Sequence, residues 1–245
     1  MKKILLGAFI ASVYMPIVLA DTCEVPKLTG REGYSTVFCL NEEGLSRVMK
    51  PGNKKNPFLH GFVNRQGKVV VPLKYYDAYD FSEGLAAVCK TVGKSDQILC
   101  GYINASGKEV IPLKFEYMPG DFSQGIAPAK QKGKWGFIDT KGKVVIPFQY
   151  VKADSFSEGL AAVATVDTNK HGYINTKGEM VIPPKYEEAF YFNEGLAAVQ
   201  ILDKWGYIDK ENKWVIPARY SSASNFNDGM ARVSQNDKYG YIDKK

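Results

Sequence analysis

Short apolar stretches alternate with polar turns along most of the chain. Residues 134–138 read KWGFI and residues 144–147 read VVIP. Runs of this length that are rich in β-branched and aromatic residues favour β-strands. Residues 139–142, between the two runs, read DTKG, which ends in a glycine that readily takes positive φ. The pattern therefore predicts two antiparallel strands joined by a tight turn.

The same hairpin returns along the chain. The glycine that follows the tryptophan position recurs roughly every 35 residues, a period typical of repeat architectures. It stands at Gly61, Gly101, Gly136, Gly172, Gly206 and Gly240. A proline ends the second strand in each copy that has one: Pro72, Pro112, Pro147, Pro183 and Pro217. The turns also recur: each begins with aspartate or asparagine and ends with glycine, except that Asn212 replaces the glycine in the fifth copy.

A further strand precedes each hairpin. It follows a Glu-Gly-Leu sequence, as at residues 83–88 (EGLAAV) and 158–163 (EGLAAV). Each repeat thus has a Glu-Gly-Leu strand, a Trp-Gly strand and a Val-Ile-Pro strand. Between repeats lies a link with two aromatic residues six positions apart, such as Tyr150 with Phe156, Tyr186 with Phe192 and Tyr220 with Phe226. We expect these rings to fill the space between neighbouring repeats, since a lone three-stranded unit cannot bury its apolar face.

The predicted fold class is all-β. We expect one domain of tandem three-stranded antiparallel units of about 35 residues, stacked in an open, curved, solenoid-like array. The alternative is a closed β-propeller. Propeller blades have four strands, so the link would have to supply one of them.

The N-terminal segment has the features of an export signal. Residues 1–20 combine Lys2 and Lys3 with an apolar run that ends in Val18-Leu19-Ala20. We therefore expect cleavage near Ala20, an N-terminal cap at 21–40, a repeat array of six Trp-Gly units at 41–245, and no membrane span in the mature protein. The expected location is the periplasm or the extracellular medium.

The four cysteines are consistent with an oxidising compartment. Cys89 ends a Glu-Gly-Leu strand and Cys100 begins the next strand, so the hairpin places them opposite each other. Cys23 and Cys39 remain as the second pair, within the cap. The other possibility is that the thiols are free and buried.

The repeat resembles a known family. The residues that carry the resemblance are KWGFID at 134–139, VIP at 145–147 and EGLA at 158–161, and the pattern extends over roughly residues 41–243. The chain is similar to the WG-repeat family of bacterial proteins. That resemblance implies a β-repeat architecture, commonly in exported or envelope proteins, and no single activity. The tryptophan position departs from the family pattern in four copies, where it holds His60, Cys100, His171 and Tyr239.

No catalytic motif or metal motif stands out, so we expect a non-enzymatic protein without a cofactor. Both histidines occupy the tryptophan position and are interpreted as structural. The repeated Glu83, Glu158 and Glu194 precede a glycine, where they are interpreted as backbone caps. A hydrolase that uses two of the many carboxylates is the remote alternative.

Basic residues recur at two positions of the repeat. Those two residues beyond the proline are Lys74, Lys114, Lys185 and Arg219, called here the basic strand set. Those just beyond the hairpin turn are Lys68, Lys108, Lys143 and Lys213, called here the basic turn set. Equivalent positions align in stacked repeats, so both sets could form stripes that bind an anionic envelope component or glycan. The plainer interpretation is a solvated surface that protects the sheet edges.

Net charge limits the possible partners. The chain has a formal net charge of +6, and removal of Lys2 and Lys3 with the signal peptide lowers it to +4. This is far from the dense basic face of a nucleic-acid-binding protein. We expect a protein-interaction module with an aromatic-lined concave surface, with the anionic envelope ligand as the alternative.

Overall fold

The computed structural model describes residues 23–245, apart from residues 31, 55, 94 and 95. The predicted signal peptide at 1–20, with its cleavage near Ala20, lies outside the described residues. All regular secondary structure in the described part of the chain is β-strand, in antiparallel sheets. The all-β prediction is confirmed.

The strands form six small sheets, one for each Trp-Gly unit. Sheet 1 contains β1 (Thr36–Leu40), β2 (Leu45–Pro51), β3 (Phe58–Asn64) and β4 (Val69–Tyr75). Sheet 2 contains β5 (Asp77–Ser82), β6 (Leu85–Val92), β7 (Gln97–Asn104) and β8 (Glu109–Phe115). Sheet 3 contains β9 (Ile126–Gln131), β10 (Lys134–Asp139) and β11 (Val144–Tyr150). Sheet 4 contains β12 (Lys152–Ala153), β13 (Leu160–Ala164), β14 (His171–Asn175) and β15 (Met180–Tyr186). Sheet 5 contains β16 (Ala197–Ile201), β17 (Lys204–Ile208) and β18 (Trp214–Tyr220). Sheet 6 contains β19 (Ser222–Ala223), β20 (Ala231–Gln235) and β21 (Lys238–Ile242).

The three predicted strands of the repeat form the body of sheets 1 to 5, with the Trp-Gly strand in the middle. The links add short strands β5, β12 and β19, which pair with the outer side of the Glu-Gly-Leu strand. In sheet 1 the same place is taken by β1 from the N-terminal cap. The links therefore run along one edge of the sheets, and the Val-Ile-Pro strands run along the opposite edge.

The hairpin turn forms as predicted. The Asp139 carboxylate accepts the backbone N–H groups of Lys141 and Lys143 at 3.0 and 2.9 Å, and Gly142 N donates to Asp139 O at 2.8 Å. Gly142 has φ +78°, and Asn212 holds the equivalent position with φ +63°. Asparagine tolerates this left-handed region better than most residues, which explains the single replacement.

The glycine after the tryptophan position allows two strands to approach closely. A Cβ atom on Gly136 would lie 2.7 Å from Ile146 O in the neighbouring strand. The register of β10 and β11 shifts at this point, and Pro147 there has no N–H to donate. Glycine is needed at this position because any side chain would collide with the backbone.

The core lies between sheets rather than within one sheet. Five clusters of buried residues each join two successive sheets. The two rings that begin and end each of the last three links are buried, as predicted: Tyr150, Phe156, Tyr186, Phe192, Tyr220 and Phe226. None of these clusters, among the described residues, joins sheet 6 to sheet 1. The sheets therefore form an open array.

Candidate functional site

The links carry the array's most concentrated group of exposed aromatic side chains. We define the link edge as residues 76–82, 117–123, 151–157, 187–193 and 221–227. The ring residues that precede and end most links are buried, as is an alanine in several links, but other residues between the two rings are exposed. The exposed rings are Tyr76, Tyr79, Tyr117, Phe190 and Tyr191, the most exposed being Tyr117 at 59%.

Buried side chains hold the links in place. Tyr102 donates its hydroxyl to Gly120 O at 2.6 Å, and Tyr173 and Tyr207 donate to Phe190 O and Ser224 O, each at 2.8 Å. Successive links also touch, since Ser155 Oγ donates to Asp121 O at 3.1 Å. In the first link, the backbone around Tyr79 is held instead by the pairing of β5 with β6. A backbone that is already ordered lowers the entropy lost when the exposed rings bind a ligand or partner.

The link edge is also rich in carboxylates. Burial, and then the neighbouring Asp80, raise the pKa of Asp121. Burial likewise raises the pKa of Asp154, which His171 and Lys152 partly offset. Arg47 pairs with Asp80 at 3.3 Å and Lys152 pairs with Glu188 at 3.0 Å. Cations of the chain thus balance part of the negative charge of the link edge.

Three surface cavities lie along the link edge. One of about 250 Å³ is lined by residues of sheet 2 and of the links on either side of it. A second of about 360 Å³ lies beside it, around Phe58, His60, Tyr76 and Asp77. The third, of about 590 Å³, lies at Asp154, Ser155, Phe190 and Tyr191. The links therefore offer concave surface as well as exposed rings.

The tryptophan position borders the link edge in sheets 3 and 5. Trp135 packs against Tyr117, with 5.7 Å between ring centroids, and Trp205 packs against Phe190 at 4.8 Å. Cys100 holds the same position in sheet 2.

Both histidines at the tryptophan position are buried, in agreement with their structural interpretation. His171 Nδ1 donates to Glu187 O at 2.9 Å, and its Nε2 lies 3.6 Å from Glu188 Oε2. Burial lowers the pKa of His60 and of His171.

The structure contains both predicted disulfides, Cys23–Cys39 and Cys89–Cys100. Cys89 and Cys100 are directly paired across β6 and β7, as the alignment of the repeats predicted. All four cysteines of the described chain are therefore engaged in disulfides.

The repeated glutamates act as caps, but for the neighbouring repeat. Glu83 accepts the N–H of Gly125 at 3.0 Å, and Glu158 and Glu194 accept those of Gly195 and Gly229. Within the described part of the chain, no group of three or more histidine, cysteine or acidic side chains is placed to hold a metal ion.

The basic strand set is exposed on the edge opposite the links. Each of its cations lies over the ring of the next residue: Lys74 over Tyr75 at 5.5 Å, Lys114 over Phe115 at 5.4 Å, Lys185 over Tyr186 at 5.1 Å and Arg219 over Tyr220 at 5.0 Å. The set is interrupted at Gln149, which hydrogen-bonds Tyr150.

The basic turn set lies at the other end of the same strands. Its residues are exposed, and their N–H groups cap the turn carboxylates or amides, as Lys68 does for Asn64 at 3.0 Å. Six residues of extended chain place the two sets roughly 20 Å apart. They are two separate rows rather than one site, and Glu179 interrupts the turn row.

Sequence reasoning did not single out the exposed link residues. The signal was present, because Tyr79, Tyr117 and Tyr191 are large aromatics between the two core rings of a link, where most other links carry a polar or charged residue. Their exposure could not be read from the sequence, since buried and exposed rings alternate there without a regular period.

No helix in the described part of the chain is long and apolar enough to cross a membrane. No curated protein sequence matches the chain. Among solved structures, the chain is similar to Kluyveromyces lactis Hsv2p, with 10% identity, a TM-score of 0.53, and coverage of 82% of this chain and 71% of that one. A eukaryotic initiation factor is similar with 10% identity and a TM-score of 0.49, over 85% of this chain and 72% of that one. The first likeness concerns the fold alone, and the second is too loose to carry an argument.

The model of the WG containing repeat matches five segments, at residues 61–91, 101–135, 135–165, 172–205 and 205–239. These matches cover well over half of the chain, and each begins at or next to the Trp-Gly strand of one sheet, from sheet 1 to sheet 5, and extends at least to the Glu-Gly-Leu strand of the next. The chain belongs to the WG-containing repeat family.

Proposed function

We propose that this protein is a non-enzymatic, exported binding protein that holds a partner protein on its link edge. The observation that carries the proposal is the group of exposed rings at Tyr76, Tyr79, Tyr117, Phe190 and Tyr191. Their backbone is held by buried tyrosines in the later links and by strand pairing with β6 in the first. Rigid aromatic side chains supply large contact area at low entropic cost and are enriched where proteins bind each other.

The chemistry of the link edge favours a partner that presents basic side chains. Asp77, Asp80, Asp121, Asp154 and Glu188 lie among or beside the exposed rings. Opposite charge across an interface speeds association and selects the partner. The partner would thus combine apolar contacts to the rings with cations for the carboxylates.

The periplasm or the extracellular medium is the proposed location. Two disulfides in a chain of this size are typical of oxidising compartments. The apolar N-terminal run with Lys2 and Lys3 supports the same location.

The second candidate function is binding of an anionic envelope component or glycan through the basic strand set. It is favoured by the exposure of Lys74, Lys114, Lys185 and Arg219 at the same place in four sheets. Such binding would be strongly weakened by salt, because exposed charges more than a Debye length apart are screened.

Catalysis is not part of the proposal. The repeated glutamates Glu83, Glu158 and Glu194 are occupied by backbone N–H groups of the next repeat, which leaves them a structural role. A hydrolase that uses two other carboxylates remains the remote alternative.

A pull-down from envelope extract at low and high salt tests the proposal. The link variant carries Tyr117→Ser and Tyr191→Ser, and its matched control carries Tyr239→Ser and Tyr241→Ser, two exposed rings on sheet 6. We expect the link variant to lose a protein that the wild type and the control retain at both salt concentrations. Loss of all binding at high salt by the wild type would favour the anionic ligand instead.

A further inference from the structure

The link edge of sheet 2 holds a cavity with three tyrosines around it. The cavity has a volume of about 250 Å³, and the rings of Tyr76, Tyr79 and Tyr117 line it. These rings are 37%, 42% and 59% exposed, so their faces are accessible. The Cys89–Cys100 disulfide and Met118 also line it, with Met118 Sδ 3.5 Å from Cys89 Sγ.

Comparison with the other repeats explains why this space is open. In sheets 3 and 5, the tryptophan position holds Trp135 and Trp205, whose indole rings pack against the aromatic residues of the preceding link. In sheet 2 the position holds Cys100, which is bonded to Cys89 and cannot reach the link. The link tyrosines are retained, but the indole that would pack against them is missing.

Two carboxylates line the same cavity, those of Asp77 and Glu116. Glu116 accepts the N–H groups of Gly133 and Lys132 at 3.0 and 2.8 Å, and these bonds lower its pKa, so it is ionised at neutral pH. His60 Nε2 lies 3.8 Å from Asp77 Oδ1, but burial lowers the pKa of His60. Because the imidazole of His60 is then neutral, its contact with Asp77 does not balance the charge of that carboxylate.

Of the chain's own cations near the cavity, Arg47 is engaged elsewhere, whereas Lys130 lies at the cavity's edge, where its charge also helps to lower the pKa of Glu116. Arg47 pairs with Asp80 at 3.3 Å and donates to Ala78 O at 2.7 Å. Lys130 Nζ lies 5.9 Å from the centroid of Tyr117 and 6.0 Å from that of Trp135, shared between the two rings. Among the described residues, the cation–ring contacts do not include the rings of Tyr76 and Tyr79.

We propose that this cavity binds an organic cation of the alkylammonium class. Ring faces attract such cations through their quadrupoles, and alkylated ammonium groups are held in this way by several rings at once. Asp77 and Glu116 supply opposite charge at the wall. The volume lies just below the range of pockets for drug-sized ligands, which suits a small alkylammonium group rather than a large molecule. The group could belong to a free small molecule or end a lysine side chain of a partner, and the inference does not depend on the proposed function.

Calorimetric titration of the intact protein tests the proposal. The probes are choline chloride, its uncharged isostere 3,3-dimethylbutan-1-ol, and a short peptide with one central lysine. We expect saturable binding of choline or of the peptide, and at least a tenfold weaker response to the uncharged alcohol. Choline binding identifies a free ligand, and binding of the peptide alone identifies a partner's side chain. Equal binding of choline and the alcohol, or no saturable binding of either cation, overturns the proposal.

Variants locate the site. Tyr79→Leu keeps an apolar side chain and removes the ring, so binding should weaken roughly 2- to 30-fold. Tyr191→Leu, a similarly exposed link tyrosine outside this cavity, is the matched control and should bind as the wild type does. The double variant Cys89→Gln with Cys100→Trp rebuilds the pair that Gln200 and Trp205 form in sheet 5, and the indole should fill the cavity and abolish binding. If this double variant fails to fold, Tyr79→Leu still decides: unchanged affinity there overturns the proposal.

Discussion

The carboxylate of Glu158 accepts the backbone N–H of Gly195 in the next repeat, with its two oxygens at 3.2 and 3.1 Å. Lys210 of that repeat pairs with the same carboxylate at 3.0 Å. Glu158 itself has φ +51°, which is unfavourable for a residue with a side chain. A glutamate is retained in this strained turn because it ties its repeat to the following one. The same arrangement recurs with Glu194, Gly229 and Lys244.

The first prediction concerns this contact. Glu158→Ala removes the acceptor of Gly195 N–H and the partner of Lys210, so the free energy of unfolding should fall by about 1 to 2 kcal/mol. Glu211→Ala, at an exposed turn position of the neighbouring repeat, should change it by less than ~0.5 kcal/mol. Urea unfolding measures both. Equal stability of the two variants would show that the contact between repeats contributes nothing.

The second prediction concerns pH. Burial lowers the pKa of His60, Asp77 partly opposes this effect, and Arg47 adds to it. The folded state therefore binds a proton less readily than the unfolded state, and stability is lost as pH falls from about 7 through the lowered pKa. His60 Nδ1 is also buried and has no hydrogen-bond partner among the residues that the structure describes. His60→Trp, the residue that sheets 3 and 5 carry there, should remove this part of the acid sensitivity.

Melting temperatures of the wild type and His60→Trp between pH 7.5 and 5.5 check the second prediction. The wild type should lose more stability over this interval than the variant. The neighbouring cavity of about 360 Å³ gives the indole room. Parallel pH profiles for the two proteins would contradict the assignment of the acid sensitivity to His60.

The third prediction concerns Asn212. Turn chemistry alone would accept glycine here equally well, but Tyr186 OH donates to Asn212 Oδ1 at 2.6 Å from the preceding repeat. Asn212→Gly and Tyr186→Phe should each lower stability by about 1 kcal/mol, and the double variant should lose little more than either single one. Additive losses in this cycle would show that the two side chains do not interact.

The fourth prediction concerns the equivalent glycine in sheet 3. A Cβ atom on Gly142 would lie 2.9 Å from Ile111 Cγ2 of the preceding repeat, and the residue has φ +78°. Gly142→Val should therefore destabilise the protein clearly, since a β-branched residue at positive φ is strained. Thr140→Val in the same turn, at a position without this constraint, is the control. Equal melting temperatures for the two variants would show that Gly142 is not constrained.

Much of the fold could be predicted because the strands and turns of each repeat are determined by residues close to them in sequence. Asp139 and Gly142 mark a turn by their own chemistry, and the buried rings of Tyr186 and Phe192 follow from the need to fill the space between sheets. The fourth strands in the links could not be predicted, because β12 and β19 have only two residues each and three of the six residues of β5 are polar. They form because the neighbouring Glu-Gly-Leu strand offers free hydrogen-bonding groups.

The candidate site was less predictable than the fold. The basic strand set was found because its residues recur with the repeat. The link edge was missed because Tyr79, Tyr117 and Tyr191 stand at positions that vary between repeats. The glutamates were expected to cap backbone groups, but the sequence did not identify which ones: Glu158 bonds to Gly195 across the interface between repeats. A contact between repeats depends on how the sheets stack, which the local pattern does not contain.

The central claim is that the link edge, and not the basic strand set, binds the partner. The most direct measurement compares two variants in one pull-down from envelope extract at high salt. One carries Tyr117→Ser and Tyr191→Ser, and the other carries glutamine at Lys74, Lys114, Lys185 and Arg219. We predict that the first loses the specifically bound protein and the second retains it. Retention by the first variant, with loss by the second, would contradict the claim and assign binding to the basic strand set.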